Sequence, residues 1–234
     1  MDFKISENFF SIFPNAKIGI VVARNVTNHK GNEEPYKALL DEAIVKAKKY
    51  IEADEWTANP VVANWRKAYQ QFKTKKGARS SIEALLKRVQ TGKGVGTISP
   101  LVDIYNSVSL EFGVPCGGED LEKVKGDMWL TLANGNEEFV TYGSDKSEPP
   151  YKGEVIYKDA LGAICRCWNW RESIRTMLTE ETKQAIFVIE SVEGTESNFE
   201  LALNALKQRI ETYSRRTCDI SILDREHSTA DISF

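Results

Sequence analysis

The run Trp168-Asn169-Trp170-Arg171-Glu172 puts two indoles, an amide, a guanidinium and a carboxylate side by side. A concave binding site needs apolar walls and a few polar groups that fix orientation. Glu172 can orient a substrate ammonium or a water. Asn169 can donate to a developing oxyanion. Trp168 and Trp170 suit the walls of a hollow, and each ring reads equally well as core packing. Arg171 can meet a phosphate or pair with nearby acids. A second group, Gly117-Gly118-Glu119, joins backbone that can pass close to a ligand with another carboxylate. Asn106, Asp103 and Asp120 are further polar candidates. Capping and turn hydrogen bonds are the plainer role for Asp103 and Asn106.

These residues need elements to hold them. Glu154–Tyr157 and Ala163–Trp168 read as strands joined by Lys158–Gly162, and Ala185–Ile189 as a third. Lys17–Ala23 is a buried strand by its Ile and Val content. Phe3–Phe13 is a short amphipathic stretch broken at Pro14. Helical spacing marks Pro35–Ile51, Ala58–Phe72 and Ile82–Val89, the last with Ser80-Ser81 as cap. Ile98–Gly113 is a helix with Ser99 as cap, Pro100 in its first turn and Gly113 at its end. Asn134-Gly135 between Asp127–Leu132 and Glu137–Tyr142 predicts a β-hairpin. Phe199–Ile210 reads as a last helix and Cys218–Leu223 as a last strand, with a loose polar tail from Asp224. Helices before Gly113 and strands after it argue an α+β fold, a mostly antiparallel central sheet with flanking helices. The expected division is 1–97 as a strand and helices packing on the core, 98–223 as the core, and 224–234 as tail.

Composition narrows the chemistry. The net charge is −3 and the pI about 5.6, so counterion release favours no non-specific nucleic-acid binding, and no DNA partner is expected. Lys73–Arg79 is the one basic cluster, more simply a solvated loop than a phosphate contact. No apolar run suits a membrane span and the N-terminus lacks the order of a signal peptide, so a cytoplasmic protein is expected. Cys116, Cys165, Cys167 and Cys218 are too few for a disulfide scaffold, and His29 and His227 lie far from them. No metal or cofactor is expected. Gly92-Lys93-Gly94-Val95-Gly96 lacks the strand–loop–helix context of a phosphate loop and reads as a mobile turn.

The series Leu101-Val102-Asp103, Tyr105-Asn106, Ser109-Leu110-Glu111, Gly113 and Pro115 resembles a signature of the B3/4 module, the editing domain of the phenylalanyl-tRNA synthetase β subunit. The agreement continues in order through Glu119-Asp120-Leu121, Lys125-Gly126, Val155-Ile156 with Asp159, Gly162-Ala163 and Glu172-Ser173 to Ala185–Ile189. Free-standing proteins built on this module exist, and the helices before Ile98 resemble that form. The resemblance implies a B3/4 sandwich, a tRNA partner, an amino-acid moiety in the pocket, and hydrolysis of the ester joining a wrong amino acid to tRNA. It places the editing-pocket glutamate at Glu172. Two pattern glycines are replaced by Asn169 and Trp170, and a pocket histidine falls at Gly117, so amino-acid selectivity does not carry over. The assignment is then Glu172 and Asn169 as catalytic groups, with Trp168, Trp170, Arg171, Gly117, Gly118, Glu119 and Asn106 around the substrate. A tRNA- or amino-acid-binding module without catalysis, and a hydrolase of a small amino-acid ester or amide, remain the alternatives.

Overall fold

The computed structural model describes residues 1–234. The chain opens with β1 (Asp2–Ile5), a single helical turn α1 (Glu7–Phe10) and β2 (Lys17–Arg24). Four helices follow: α2 (Glu34–Ala47), α3 (Pro60–Tyr69), α4 (Ser81–Gln90) and α5 (Pro100–Phe112). Then come β3 (Cys116–Asp120), β4 (Met128–Leu132), β5 (Val155–Lys158), β6 (Ala163–Arg166), β7 (Arg171–Glu172) and β8 (Gln184–Ser191). The chain closes with α6 (Phe199–Ser214), β9 (Cys218–Leu223) and β10 (Thr229–Asp231).

Two sheets result. One has four antiparallel strands in the order β3-β8-β2-β9, the other six in the order β10-β1-β4-β5-β6-β7. Only the β1–β4 pair is parallel among the six. The four-stranded sheet is covered on both faces, which explains the nearly unbroken apolar runs of β2 and β8. Ile18, Ile20, Val22, Ile186 and Val188 face the other sheet and join Phe3, Leu130, Tyr157 and Ile164 in one core. Val21, Ala23, Phe187 and Ile189 face the opposite way, onto Ile104 and Val108 of α5 and Ala202, Leu203 and Leu206 of α6. The architecture is therefore helix, sheet, sheet: an α+β fold with mostly antiparallel pairing.

The N-terminal residues are built into this core, because β1 and β2 each enter a different sheet. The stretch Phe3–Phe13 splits in two. Phe3 and Ile5 alternate inward from the strand β1, while Phe9 and Phe10 are buried on the turn α1. Ser80 caps α4 as expected, accepting from the Glu83 N–H at 3.3 Å. Ser99 does not cap α5 with its side chain. Asp103 accepts from the Ile98 N–H and Asn28 from the Leu101 N–H instead.

Two further expectations are corrected. The Asn134-Gly135 turn closes no hairpin, because β4 pairs with β1 and β5. Glu137 explains the loss: its carboxylate accepts from the N–H groups of Asn134, Gly135 and Asn136, and pairs with Lys158. Those contacts hold the segment as an irregular loop. The C-terminal tail is not loose either. Thr229–Asp231 pairs with β1, Ile232 is fully buried, and its N–H donates to the Met1 carbonyl.

Ile232→Ala should therefore cost about 2–5 kcal/mol in a urea or thermal melt, the range for large-to-small core changes. A loss under about 0.5 kcal/mol, typical of an exposed position, would mean that the tail is undocked.

Candidate functional site

Pairing registers place the site. Tyr157 pairs with Cys165, and Cys165 with Glu172, so these side chains share one face of the six-stranded sheet. Gly117 pairs with Val188 across β3 and β8, and strand alternation puts Glu119 and Glu190 on that same face. The two faces enclose a cavity of about 400 Å³. Tyr105 and Asn106 of α5 and Ser81, Leu85 and Arg88 of α4 line it as well.

Of the residues singled out in the sequence, Glu172, Asn169, Trp170, Arg171, Gly117, Gly118, Glu119 and Asn106 all line this cavity. A Cβ on Gly117 would stand 3.6 Å from Glu172 Oε1, so the carboxyl lies over a strand with no side chain beneath it. Gly118 is demanded by packing: a Cβ there would meet the Phe187 ring at 2.8 Å. Arg171 is exposed at the rim, with its guanidinium 4.7 Å from the Trp170 ring centroid.

Trp168 is a correction. Its ring is fully buried away from the cavity, among Phe9, Phe13, Trp65 and Phe72 with centroids 4.8–6.4 Å apart. The cause is backbone. Cys167 and Trp168 take φ values of 45° and 63°, which break the strand alternation and turn the indole into the core. The Trp168 N–H donates to the Val155 carbonyl at 2.6 Å and fixes that turn. Asn169 follows with its two amide ends in different roles. Its Oδ1 accepts from the Tyr69 hydroxyl at 3.0 Å and the Ser81 N–H at 3.2 Å. Its Nδ2 closes no hydrogen bond and faces Glu190.

Glu190 is the cavity residue that sequence reading missed. It is buried at the end of β8, and its Oε1 accepts from the Tyr157 hydroxyl at 2.8 Å. The available signal was an acid following five apolar residues, Ala185–Ile189. Glu190 Oε2 and Glu119 Oε2 are buried without a hydrogen-bond partner. The Thr176 hydroxyl faces Glu119 without closing a bond of good geometry.

Burial shifts all three carboxyls upward, since it penalises the charged form. Glu172 is pushed to about 7 and Glu190 to about 8. Glu119 is pushed well above the usual carboxylate range by burial, with the Glu172 charge adding to it. Glu172 keeps some accessible surface, but it lines the cavity, so protein still encloses its charge. None of the three has a Lys or Arg within ion-pair distance. Burial also raises the thiols of Cys116 and Cys165 well above their ordinary value. Both line the cavity as neutral thiols, poor nucleophiles. No group of His, Cys, Asp and Glu side chains has the arrangement to hold a metal.

A family model described as B3/4 domain matches residues 64–226, well over half of the chain. The phenylalanine–tRNA ligase beta subunit of Shewanella oneidensis is 39% identical over 67 residues, which is 29% of this chain and 8% of that subunit. The beta subunit of Leifsonia xyli subsp. xyli is 35% identical over 71 residues, 30% of this chain and 8% of that subunit. The matched stretch is thus a small part of the length of either relative. The crystal structure of an N-terminal fragment of the phenylalanyl-tRNA synthetase beta-subunit from Pyrococcus horikoshii aligns with a TM-score of 0.49 and 12% identity, over 92% of this chain and 49% of that one. No helix here is long and apolar enough to cross a membrane.

The raised carboxyls make stability depend on pH. Stability from a neutral Glu190 is complete below its unfolded value of 4.5 and is lost as pH rises through about 8. Glu190→Gln removes that loss. Its melting temperature relative to the parent should therefore be higher at pH 9 than at pH 5. A parent–variant difference that stays constant from pH 5 to pH 9 contradicts the assignment.

Proposed function

Because this chain belongs to the B3/4 domain family, we propose that it hydrolyses the ester linking an amino acid to tRNA. One observation carries the reading: Glu172 lies over the bare backbone of Gly117 in a cavity of about 400 Å³, within the range of small-ligand sites. The relatives, phenylalanine–tRNA ligase beta subunits, suggest the tRNA.

An aminoacyl ester is labile already, so positioning and electrostatics suffice and no covalent nucleophile is needed. In this reading a cavity water attacks the carbonyl carbon and forms the new C–O bond. Glu172 orients that water or the substrate ammonium. A carboxyl near 7 is ionised in part at neutral pH and can take the water proton. Asn169 Nδ2 faces Glu190 without closing a hydrogen bond, so in this reading its amide turns to donate to the oxyanion. The ester C–O bond then breaks, the departing ribose oxygen takes a proton, and free amino acid and tRNA leave. Trp170 shapes the entrance. Arg171 at the exposed rim suits a terminal phosphate. Cysteine chemistry has no support, since burial keeps both cavity thiols protonated.

A second reading, hydrolysis of a small amino-acid ester or amide in the same cavity, is favoured by the net charge of −3. Deacylation of a panel of mischarged tRNAs separates the two. The tRNA reading predicts turnover by the parent and a fall of about 10²–10⁴ in Glu172→Gln, the usual worth of an acid–base group. Turnover of small esters with no tRNA dependence supports the second reading. Salt-sensitive tRNA binding without any turnover leaves a binding module, and full activity in Glu172→Gln overturns the site.

A further inference from the structure

The deep part of the cavity holds more acid than one α-ammonium can satisfy. Glu119, Glu172 and Glu190 line the same hollow, and none has a cationic partner. The two arginines on the cavity wall are engaged elsewhere. Arg88 donates through Nε to the Gly94 carbonyl, and Arg171 stacks on Trp170 at the exposed rim. If Glu172 serves the water or the α-ammonium, Glu119 and Glu190 are left over. Both side chains are more than nine-tenths buried, at 5% and 2% exposure, and each has an Oε2 with no hydrogen-bond partner.

A ligand that brought only hydrocarbon would leave those acceptors buried and unpaired, which is costly. A ligand that brought a cation would displace a proton from a carboxyl and satisfy its orphaned oxygen in a charge-assisted pair. The surrounding surface fits such a ligand along its length. Met128, Val188 and the ring of Tyr157 line the cavity near the acids and can cover a methylene stem.

We infer that the cavity is built for an amino acid with a second protonated nitrogen at the end of an aliphatic side chain, received by Glu190 and Glu119. This rests on the reading of the cavity as an aminoacyl site and names the side-chain class that it selects. Glu190 and Glu119 are then specificity-determining residues and Glu172 remains with the reacting end. The Tyr157 hydroxyl holds Glu190 Oε1, and Oε2, near which Asn169 Nδ2 closes no bond, is left for the ligand.

The test is calorimetric titration of the intact chain at pH 7.5 with L-lysinamide, L-ornithinamide, L-norleucinamide and L-tyrosinamide. Norleucinamide has the lysine stem without the terminal nitrogen. The basic amides should bind about ten- to a hundredfold more tightly than norleucinamide, the worth of a charge-assisted hydrogen bond. Glu190→Gln and Glu119→Gln should each shrink that advantage, but the parent comparison stands even if a variant fails to fold. Equal affinities, or a preference for norleucinamide or tyrosinamide, overturn the inference even where aminoacyl-tRNA is hydrolysed. A basic preference without turnover of any ester supports the ligand class and overturns only the hydrolase reading.

Discussion

Three carboxyl groups are enclosed between two sheets with no cation to balance them, and the architecture around them follows from that constraint. Several other buried acids are paired with cations. Glu154 holds the Arg166 guanidinium through both oxygens, Asp159 holds Arg175, and Glu83 holds Arg66. Those pairs fasten loops and helices together. Glu119, Glu172 and Glu190 have no such partner and are kept near neutral by their surroundings. Buried acids without counter-charge concentrated around one hollow are the mark of a site rather than of a scaffold.

The scaffold is arranged to hold that hollow open. β7 is two residues long and hangs from β6 through the left-handed pair Cys167 and Trp168. The buried indole among four aromatic rings anchors this crossing. The Arg166–Glu154 pair secures it from the other side, with Glu154 also accepting from the Cys167 N–H. Beyond the anchor, Asn169 ties the chain to Tyr69 and to the start of α4, and Glu172 reaches across to the glycine edge of β3. Trp168 thus matters to the site as a foundation and not as a wall.

Much of this was legible in the sequence, and the failures have two causes. The strands Lys17–Arg24 and Gln184–Ser191 declare themselves by unbroken apolar runs, and α4 by its Ser80 cap. Eight of the nine residues proposed for the site line one cavity: seven fall in two short runs, Gly117–Glu119 and Asn169–Glu172, and Asn106 comes from α5. Trp168 misled because the rings that bury it come from α1, α3 and their flanking loops, far away in sequence. Glu190 escaped because a single acid at the end of an apolar strand gives no hint of which face it occupies. Ile232 was lost to the polar residues around it, and the Asn134-Gly135 turn to a side chain, Glu137, that takes the N–H groups a hairpin would use. In each case the deciding contact is long-range, or is a side chain competing with the backbone.

The most direct measurement is a carboxyl carbon NMR titration of protein labelled at glutamate, with Glu119, Glu172 and Glu190 assigned by single Gln substitutions. Glu172 should titrate near pH 7 and Glu190 near pH 8, with Glu119 still protonated when exposed glutamates have ionised. If all three resonances instead moved together near 4.5, the ordinary glutamate value, the hollow would be an open, solvated surface. The central claim of an enclosed acidic cavity would then be contradicted.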